Sequence, residues 1–223
     1  MKKLSLIFVI LFSAATLFAQ EEEGIDLNPW SVGLDGGIHA YMHPIDADVA
    51  PELYDPGFAR LSGRYMFNDN WGIMGSAQYD LFMLEEGDVQ THFVGITGQA
   101  VMELGNMMNF ESWTNHLGLM MHIGVGGAAM WQPDRFDEDN TSRLFDQADE
   151  MIMFSAGISP YVKLNENWAI NLDYGFNYNI EQSRPFDMGE LNEEPALSGR
   201  FMTMSIGVSY HFGEHSSKPY LLF

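Results

Sequence analysis

The stretch Trp168-Ala-Ile-Asn-Leu-Asp-Tyr-Gly-Phe-Asn-Tyr178 alternates large apolar residues with small or polar ones along its whole length. Successive side chains of an extended chain point to opposite faces, so one face here is apolar and the other is small or polar. Residues 201–212 repeat the pattern, with an apolar face that runs from Met202 to Phe212. Alternation of this length predicts strands that cross a bilayer at a tilt, for which about 9–11 residues suffice.

The same pattern predicts eight strands in all. They cover residues 29–41, 57–67, 71–82, 91–104, 114–131, 151–164, 168–178 and 198–212. The connections at 68–70, 105–112 and 165–167 are short, and those at 42–56, 83–90, 132–150 and 179–197 are longer and acidic. Short connections at one end and long ones at the other predict an all-β fold, an eight-stranded antiparallel up-and-down transmembrane β-barrel. Pro160 predicts a bulge in the sixth strand, because proline donates no ladder hydrogen bond.

Tryptophans recur where every second strand is predicted to begin. They are Trp30, Trp71, Trp113 and Trp168. Two of them end near-duplicate segments, Phe67-Asn-Asp-Asn-Trp71 and Leu164-Asn-Glu-Asn-Trp168. Indole is apolar but carries one N–H, so this spacing predicts an aromatic belt at a membrane surface. A soluble lipocalin-like barrel, with its apolar face turned inward, is the alternative, and the regular tryptophans favour the membrane barrel.

The N-terminus has the features of an export signal. Lys2 and Lys3 precede an apolar run from Leu4 to Phe18, and cleavage is predicted after Ala19. The predicted organisation is a signal peptide (1–19), a short N-terminal segment (20–28), the barrel (29–212) and a short periplasmic tail (213–223). The chain has no cysteine and a net charge of −21, which excludes disulfides and argues against nucleic-acid binding through bulk charge.

The last strand carries a second motif. Ser205, Gly207, Tyr210 and Phe212 fit the pattern polar-x-Gly-x-x-aromatic-x-aromatic, which resembles the final-strand signal read by the barrel assembly machinery of bacterial outer membranes. With the eight strands and the Asn-x-Asn-Trp turns, residues 28–213 resemble the OmpA-like membrane domain. The resemblance implies a protein of the bacterial outer membrane, in contact with its lipid, with extracellular loops and periplasmic termini. Residues 213–223 are too few for the peptidoglycan-binding domain found in many relatives.

Charged residues fall on the inward face of the predicted strands. They are Asp35, Arg60, Arg64, Asp80, Glu103, Lys163 and Asp173. Arginines between aspartates of neighbouring strands predict an interior ion-pair ladder, in which Arg64 pairs with Asp35 or Asp80. Eight strands leave room for little more than side chains, so the ladder predicts a plug; a narrow or gated channel is the alternative.

The strand pattern does not bring the inward-facing histidines and serines together into a site. His39, His122 and His211 point inward at different heights, too far apart to share a metal ion. Ser209 and His211 lie two residues apart on one face without an orienting acid in phase. We therefore expect no catalytic, cofactor or metal site, and no enzyme.

The long loops carry most of the negative charge, with 19 acidic and 3 basic residues. Residues 137–146 lack the glycine that a calcium-binding loop requires, so diffuse binding of divalent cations is the most that this segment predicts. Hydration of the cell surface or docking onto a basic partner fits these loops.

The sequence thus predicts a structural or surface-contact role for the whole barrel. The alternatives are an accessory subunit that binds other outer-membrane or periplasmic proteins of a transport, secretion or assembly complex, and a small-solute channel.

Overall fold

The computed structural model describes residues 27–43, 55–83, 90–108, 110, 114, 116–132, 148–186 and 197–213. Eight strands form one closed antiparallel barrel in which each strand pairs with its neighbours in the chain and β1 pairs with β8. The strands are β1 (Trp30–His43), β2 (Asp55–Met66), β3 (Trp71–Met83), β4 (Gln90–Glu103), β5 (Leu117–Trp131), β6 (Asp149–Lys163), β7 (Trp168–Gln182) and β8 (Leu197–Phe212). The predicted fold class is confirmed.

The two Asn-x-Asn-Trp segments form the same turn. The Asn68 side-chain oxygen accepts hydrogen bonds from the backbone N–H groups of Asn70 and Trp71, each at 2.9 Å. Asn165 does the same for Asn167 and Trp168, at 2.9 and 3.0 Å. The asparagine thus satisfies backbone donors that the turn would otherwise leave free. These turns lie at what we call the turn end of the barrel; the opposite end, where the long connections begin, is the loop end.

The third turn-end connection departs from the expected strand boundary. A short helix, α1 (Leu104–Met107), follows β4, and β5 begins at Leu117 rather than at residue 114. The Glu103 side chain accepts a hydrogen bond from the backbone N–H of Leu119 at 3.2 Å, which ties the end of β4 to the beginning of β5. Trp113 lies outside the described residues. Among the described residues, no helix is both long and apolar enough to cross a membrane.

The bulge predicted at Pro160 is absent. Pro160 is opposite Leu119 in an unbroken β5–β6 register. The β6–β7 register is the same before and after Pro160, with Ile158 opposite Tyr174 and Tyr161 opposite Asn171. Its missing N–H therefore costs a ladder contact without shifting the strand. Irregularities occur instead towards the loop end, between Gly37 and Ile38, between Tyr41 and His43, and between Asn179 and Gln182.

The apolar faces of the strands point outward. Leu34 is 66% exposed, Ile96 65%, Ile123 61% and Ile206 59%, whereas the neighbouring inward residues are buried. An uninterrupted apolar band of this kind fits lipid, not water. The inward-turned, lipocalin-like arrangement is therefore wrong for this chain, and the interior is the place where polar and charged side chains gather.

Candidate functional site in the barrel lumen

Arg60 lies at the centre of an ion cluster halfway along the lumen. Its Nε is 3.1 Å from the Asp35 carboxylate on the adjacent strand β1, and its Nη1 is 2.9 Å from the Asp173 carboxylate on β7. All three side chains are buried. Because β2 and β7 are not neighbours in the sheet, the arginine bridges the inside of the barrel rather than following its wall.

The two aspartates have further polar partners. The Asp173 carboxylate lies 2.8 Å from His122 Nε2 and accepts a hydrogen bond from the Ser159 hydroxyl. The amide of Asn171 donates to Asp35. Buried carboxylates need several donors as well as a counter-charge, because they have lost their hydration. We call this set, centred on Arg60, the ion layer.

Gly207 gives the ion layer room. A Cβ atom at this position would come within 2.7 Å of the Asp35 carboxyl carbon and within 2.8 Å of the Leu34 carbonyl oxygen. Any larger residue would therefore displace the carboxylate that Arg60 binds. This glycine belongs to the predicted assembly motif, and in the folded barrel it has a packing role. Of the motif's other residues, Ser205 is buried, and Tyr210 and Phe212 are exposed on the outer face.

Two expected ion pairs have other partners. Asp80 lies 3.1 Å from His39 Nδ1 and accepts a hydrogen bond from Gln78 at 3.0 Å. Arg64 donates to the Ser31 hydroxyl at 3.2 Å and contacts the Met120 sulfur at 2.6 Å. The expected pairing of Arg64 with Asp35 or Asp80 was wrong. Arg64 lies four residues further along β2 than Arg60, nearer the turn end. The register therefore places it opposite Ser31 rather than Asp35.

The remaining predicted charges lie at the turn end. Glu103 and Lys163 are both buried. Glu103 accepts hydrogen bonds from the Tyr161 side chain and the Leu119 backbone, and it interacts electrostatically with Arg64 and Lys163. The seven predicted residues therefore occupy different levels of the lumen and form separate groups rather than one continuous ladder.

An apolar cluster that the strand pattern does not predict lies at the loop end of the lumen. Its members are Phe82, Phe93, Ala128, Met130, Met151, Met153, Phe186 and Phe201. Phe201 lies 5.2 Å from Phe93 and 5.8 Å from Phe82, ring centroid to centroid, at nearly perpendicular angles. Such edge-to-face contacts are favourable beyond the burial of area. We call this set the apolar cap.

A signal for the apolar cap was present in the sequence. Towards the loop end the strands lose their alternation and become apolar on both faces, as in Leu81-Phe82-Met83 and Met151-Ile152-Met153-Phe154. A half-buried strand does not need apolar residues on its inward side if the interior is polar. Phe186, which follows β7, carries no such periodicity and could not be assigned to the lumen without the structure.

The histidines lie at three separate levels. His39 pairs with Asp80 and its ring is 4.3 Å from that of Phe82, His122 belongs to the ion layer, and His211 lies at the turn end. Within the described ranges, no group of three His, Cys, Asp or Glu residues could hold a metal ion.

The two serine–histidine combinations do not have the arrangement of a hydrolase. Ser209 Oγ lies 3.1 Å from His211 Nε2, but Nδ1 of that ring faces the carbonyl oxygen of Asn28 at 3.4 Å instead of an acid. Ser159 and His122 both bind Asp173, so the hydroxyl bonds to the acid and not to the imidazole. A nucleophile requires the base between it and the acid.

Three of the four predicted tryptophans lie on the outer surface at the turn end. Trp30, Trp71 and Trp168 are the first residues of β1, β3 and β7 and are 50%, 48% and 44% exposed. The ring of Trp30 packs against Tyr65 with centroids 4.4 Å apart, and that of Trp168 against Tyr210 at 4.9 Å. Aromatic rings thus form neighbouring pairs on this rim.

Comparison with known proteins places the chain among bacterial barrels. Residues 4–212 match the family described as outer membrane protein beta-barrel domain. Neisserial surface protein A is similar over 82% of this chain and 97% of its own, at 12% identity and a TM-score of 0.54. Ail, the attachment invasion locus protein of Yersinia pestis, covers 86% of this chain and 100% of its own, at 17% identity and a TM-score of 0.42. OprG from Pseudomonas aeruginosa covers 85% of this chain and 99% of its own, at 14% identity and a TM-score of 0.40. No curated protein matches the chain.

Proposed function

We propose, from the premise that the chain belongs to the outer membrane protein beta-barrel family, that it is a plugged, non-enzymatic barrel with a structural or surface-contact role. Family membership confirms the resemblance to OmpA-like barrels. The observation that supports the proposal is that two groups of side chains meet inside the lumen, the ion layer around Arg60 and the apolar cap.

The two levels oppose conduction for different reasons. An ion that crosses the ion layer must separate Arg60 from Asp35 or Asp173, and these groups are paired within 3.1 Å in a buried setting. An ion that crosses the apolar cap must shed its hydration among phenylalanine and methionine side chains, which offer no replacement ligands. A narrow or gated channel would have to open both levels at once.

The position of the acidic residues supports a role at the cell surface. The long loops hold 19 acidic and 3 basic residues, far more charge than the lumen carries. With the lumen plugged, the loops and the outer surface remain as contact regions. We propose that the loops are extracellular, that the termini are periplasmic, and that the loops provide an anionic, hydrated surface for contact with basic partners. Trp30, Trp71 and Trp168 would then lie at the periplasmic interface of the bilayer.

Orientation can be tested because the chain has no cysteine. Single cysteines are introduced in a long loop, at Asn140, and in a turn, at Asp69, and intact cells are treated with a membrane-impermeant maleimide. We expect labelling at residue 140 alone, with residue 69 labelled only after lysis. Labelling of residue 69 in intact cells would overturn the proposed orientation.

Conduction is tested with the purified chain in planar lipid bilayers. We expect no steps above background for the wild-type protein, and intermittent steps when Phe201→Ala and Arg60→Ser are combined. Regular open steps for the wild type would overturn the plug and favour the channel.

Gentle detergent extraction tests whether the protein acts alone or as part of a complex. Migration as one barrel supports the stand-alone role. Stable co-migration with larger envelope proteins would show instead that it is an accessory subunit.

A further inference from the structure

We propose that the turn end of the lumen holds a binding site for a small monovalent anion of chloride size, formed by Arg64, Ser31 and Ser62. The three residues line a cavity of about 40 Å³ between the ion layer and the turn end. This site is independent of the surface role proposed above, because it lies inside the barrel on the other side of the ion layer.

The guanidinium of Arg64 has donors to spare. Arginine carries five N–H donors. Among the described residues only two partners take them: the Ser31 hydroxyl at 3.2 Å and the Met120 sulfur at 2.6 Å. A thioether is a weak acceptor and neutralises no charge. Glu103 offsets part of the charge of Arg64, but most N–H groups of Arg64 have no hydrogen-bond acceptor among the described residues.

Two cations of the lumen, Arg64 and Lys163, lie towards the turn end. Arg64 and Lys163 share Glu103 as their acidic partner, and that carboxylate already accepts hydrogen bonds from Leu119 and Tyr161. Asp35 also lines the cavity, but its carboxylate is bound by Arg60 and Asn171. Asp35 and Glu103 therefore both have other partners, and Arg64 keeps N–H donors for a further acceptor.

Hydroxyl groups supply the other donors. Ser31 Oγ accepts from Arg64, which leaves its own proton to be donated. The Ser62 hydroxyl makes no hydrogen bond to any residue that the structure describes and faces the same cavity. Ser209 is different: His211 Nδ1 faces a carbonyl oxygen and so carries the proton, and Nε2 therefore accepts the Ser209 hydroxyl. Ser209 is thereby excluded from the site.

Gly33 keeps the space open. It lies between Ser62 on β2 and Ser209 on β8 in the register of β1, and a Cβ atom there would be 2.8 Å from Ser62 Oγ. The volume admits very few atoms: a cavity must exceed about 10–15 Å³ to hold a single water. A halide fits this space and these donors.

The test uses the full-length protein folded in uncharged detergent and the line width of ³⁵Cl in sodium chloride solution, which broadens when chloride exchanges with a protein site. The wild type is expected to broaden the line several-fold more than Arg64→Gln and Gly33→Ala do. Arg200→Gln and Gly63→Ala are matched controls, because Arg200 is exposed on the outer surface and a Cβ at Gly63 meets nothing within 4 Å. Both controls are expected to broaden the line as the wild type does.

Three results would overturn the site: no broadening by the wild type, equal loss in Arg64→Gln and Arg200→Gln, or full broadening by Gly33→Ala. A second readout covers the case in which Arg64→Gln does not fold. The urea midpoint of the wild type should rise in sodium chloride relative to sodium gluconate at the same ionic strength, because ligand binding stabilises the folded state. That rise should be absent in Gly33→Ala and present in Gly63→Ala; equal midpoints in the two salts for the wild type would contradict the proposal.

Discussion

Asp35 and Asp173 meet Arg60 in the middle of the lumen, whereas Phe82, Phe93 and Phe201 meet one another at its loop end. Both regions are built from inward-facing strand positions of the same barrel, and both are buried. One closes the lumen with directional, paired charges and the other with undirected apolar contact. The two differ in what happens when one member is lost.

Removal of one charge leaves its partners uncompensated, but removal of one ring leaves a space. A buried carboxylate without its arginine has no solvent to replace it, so the cost exceeds what the intact pair contributes. A truncated phenylalanine loses its contacts and leaves a cavity whose cost depends on how far the neighbours relax. The ion layer should therefore be intolerant of single substitutions and the apolar cap more forgiving.

The largest effect is expected for Arg60→Ala. Among the described residues, it leaves Asp35 with Asn171 as its polar partner and Asp173 with His122 and Ser159. Loss of one partner from a buried ion pair costs about 3–5 kcal/mol, and here two carboxylates lose theirs, so the upper part of that range is expected. The free energy of unfolding in urea, measured in lipid vesicles, tests this. Arg200→Ala, on the outer surface, is the control and should change it little.

A substitution in the apolar cap comes next. Phe201→Ala removes a ring that contacts Phe82, Phe93 and Phe186. Truncation of a buried phenylalanine costs about 3–5 kcal/mol, and we expect the lower part of that range because the site lies at the end of the barrel. Phe201→Leu should recover most of the loss. A cost for Phe201→Ala that exceeds the cost of Arg60→Ala would reverse the comparison.

The sequence predicts the strands and turns of the barrel better than the side-chain contacts inside it. Alternation in residues 168–178 and 201–212 and the Asn-x-Asn-Trp turns were sufficient for the fold, because they depend on neighbours in the chain. The inward direction of Arg60 and Asp173 follows from the same period. Their contact does not, because it spans strands that are not adjacent and depends on tilt and side-chain length. For the same reason Arg64 was given the wrong partner.

His39 marks the boundary between the two kinds of packing. Its ring contacts Phe82 on one side, and its Nδ1 is 3.1 Å from Asp80 on the other. His39→Leu keeps the apolar contact and leaves Asp80 with Gln78 as its polar partner. We expect a loss of about 1–3 kcal/mol, the cost of a buried polar group without its partner. The double variant His39→Leu with Asp80→Leu, measured in the same unfolding assay, should recover part of the loss; a double variant less stable than His39→Leu would mean that the pair is not what stabilises this level.

The smallest effect is expected on the other side of the wall. Leu34 precedes Asp35 in β1, but it points outward and is 66% exposed. In Leu34→Ala, lipid replaces the lost methyl groups, so no cavity forms and only the difference in transfer to lipid remains. That difference is below about 1 kcal/mol per residue on insertion scales. Adjacent residues of one strand should thus differ several-fold in cost, since a variant at Asp35 disrupts the ion layer. If Leu34→Ala costs as much as Phe201→Ala in vesicles, the outer face packs against protein rather than lipid, and its partner would then be sought by cross-linking from β1.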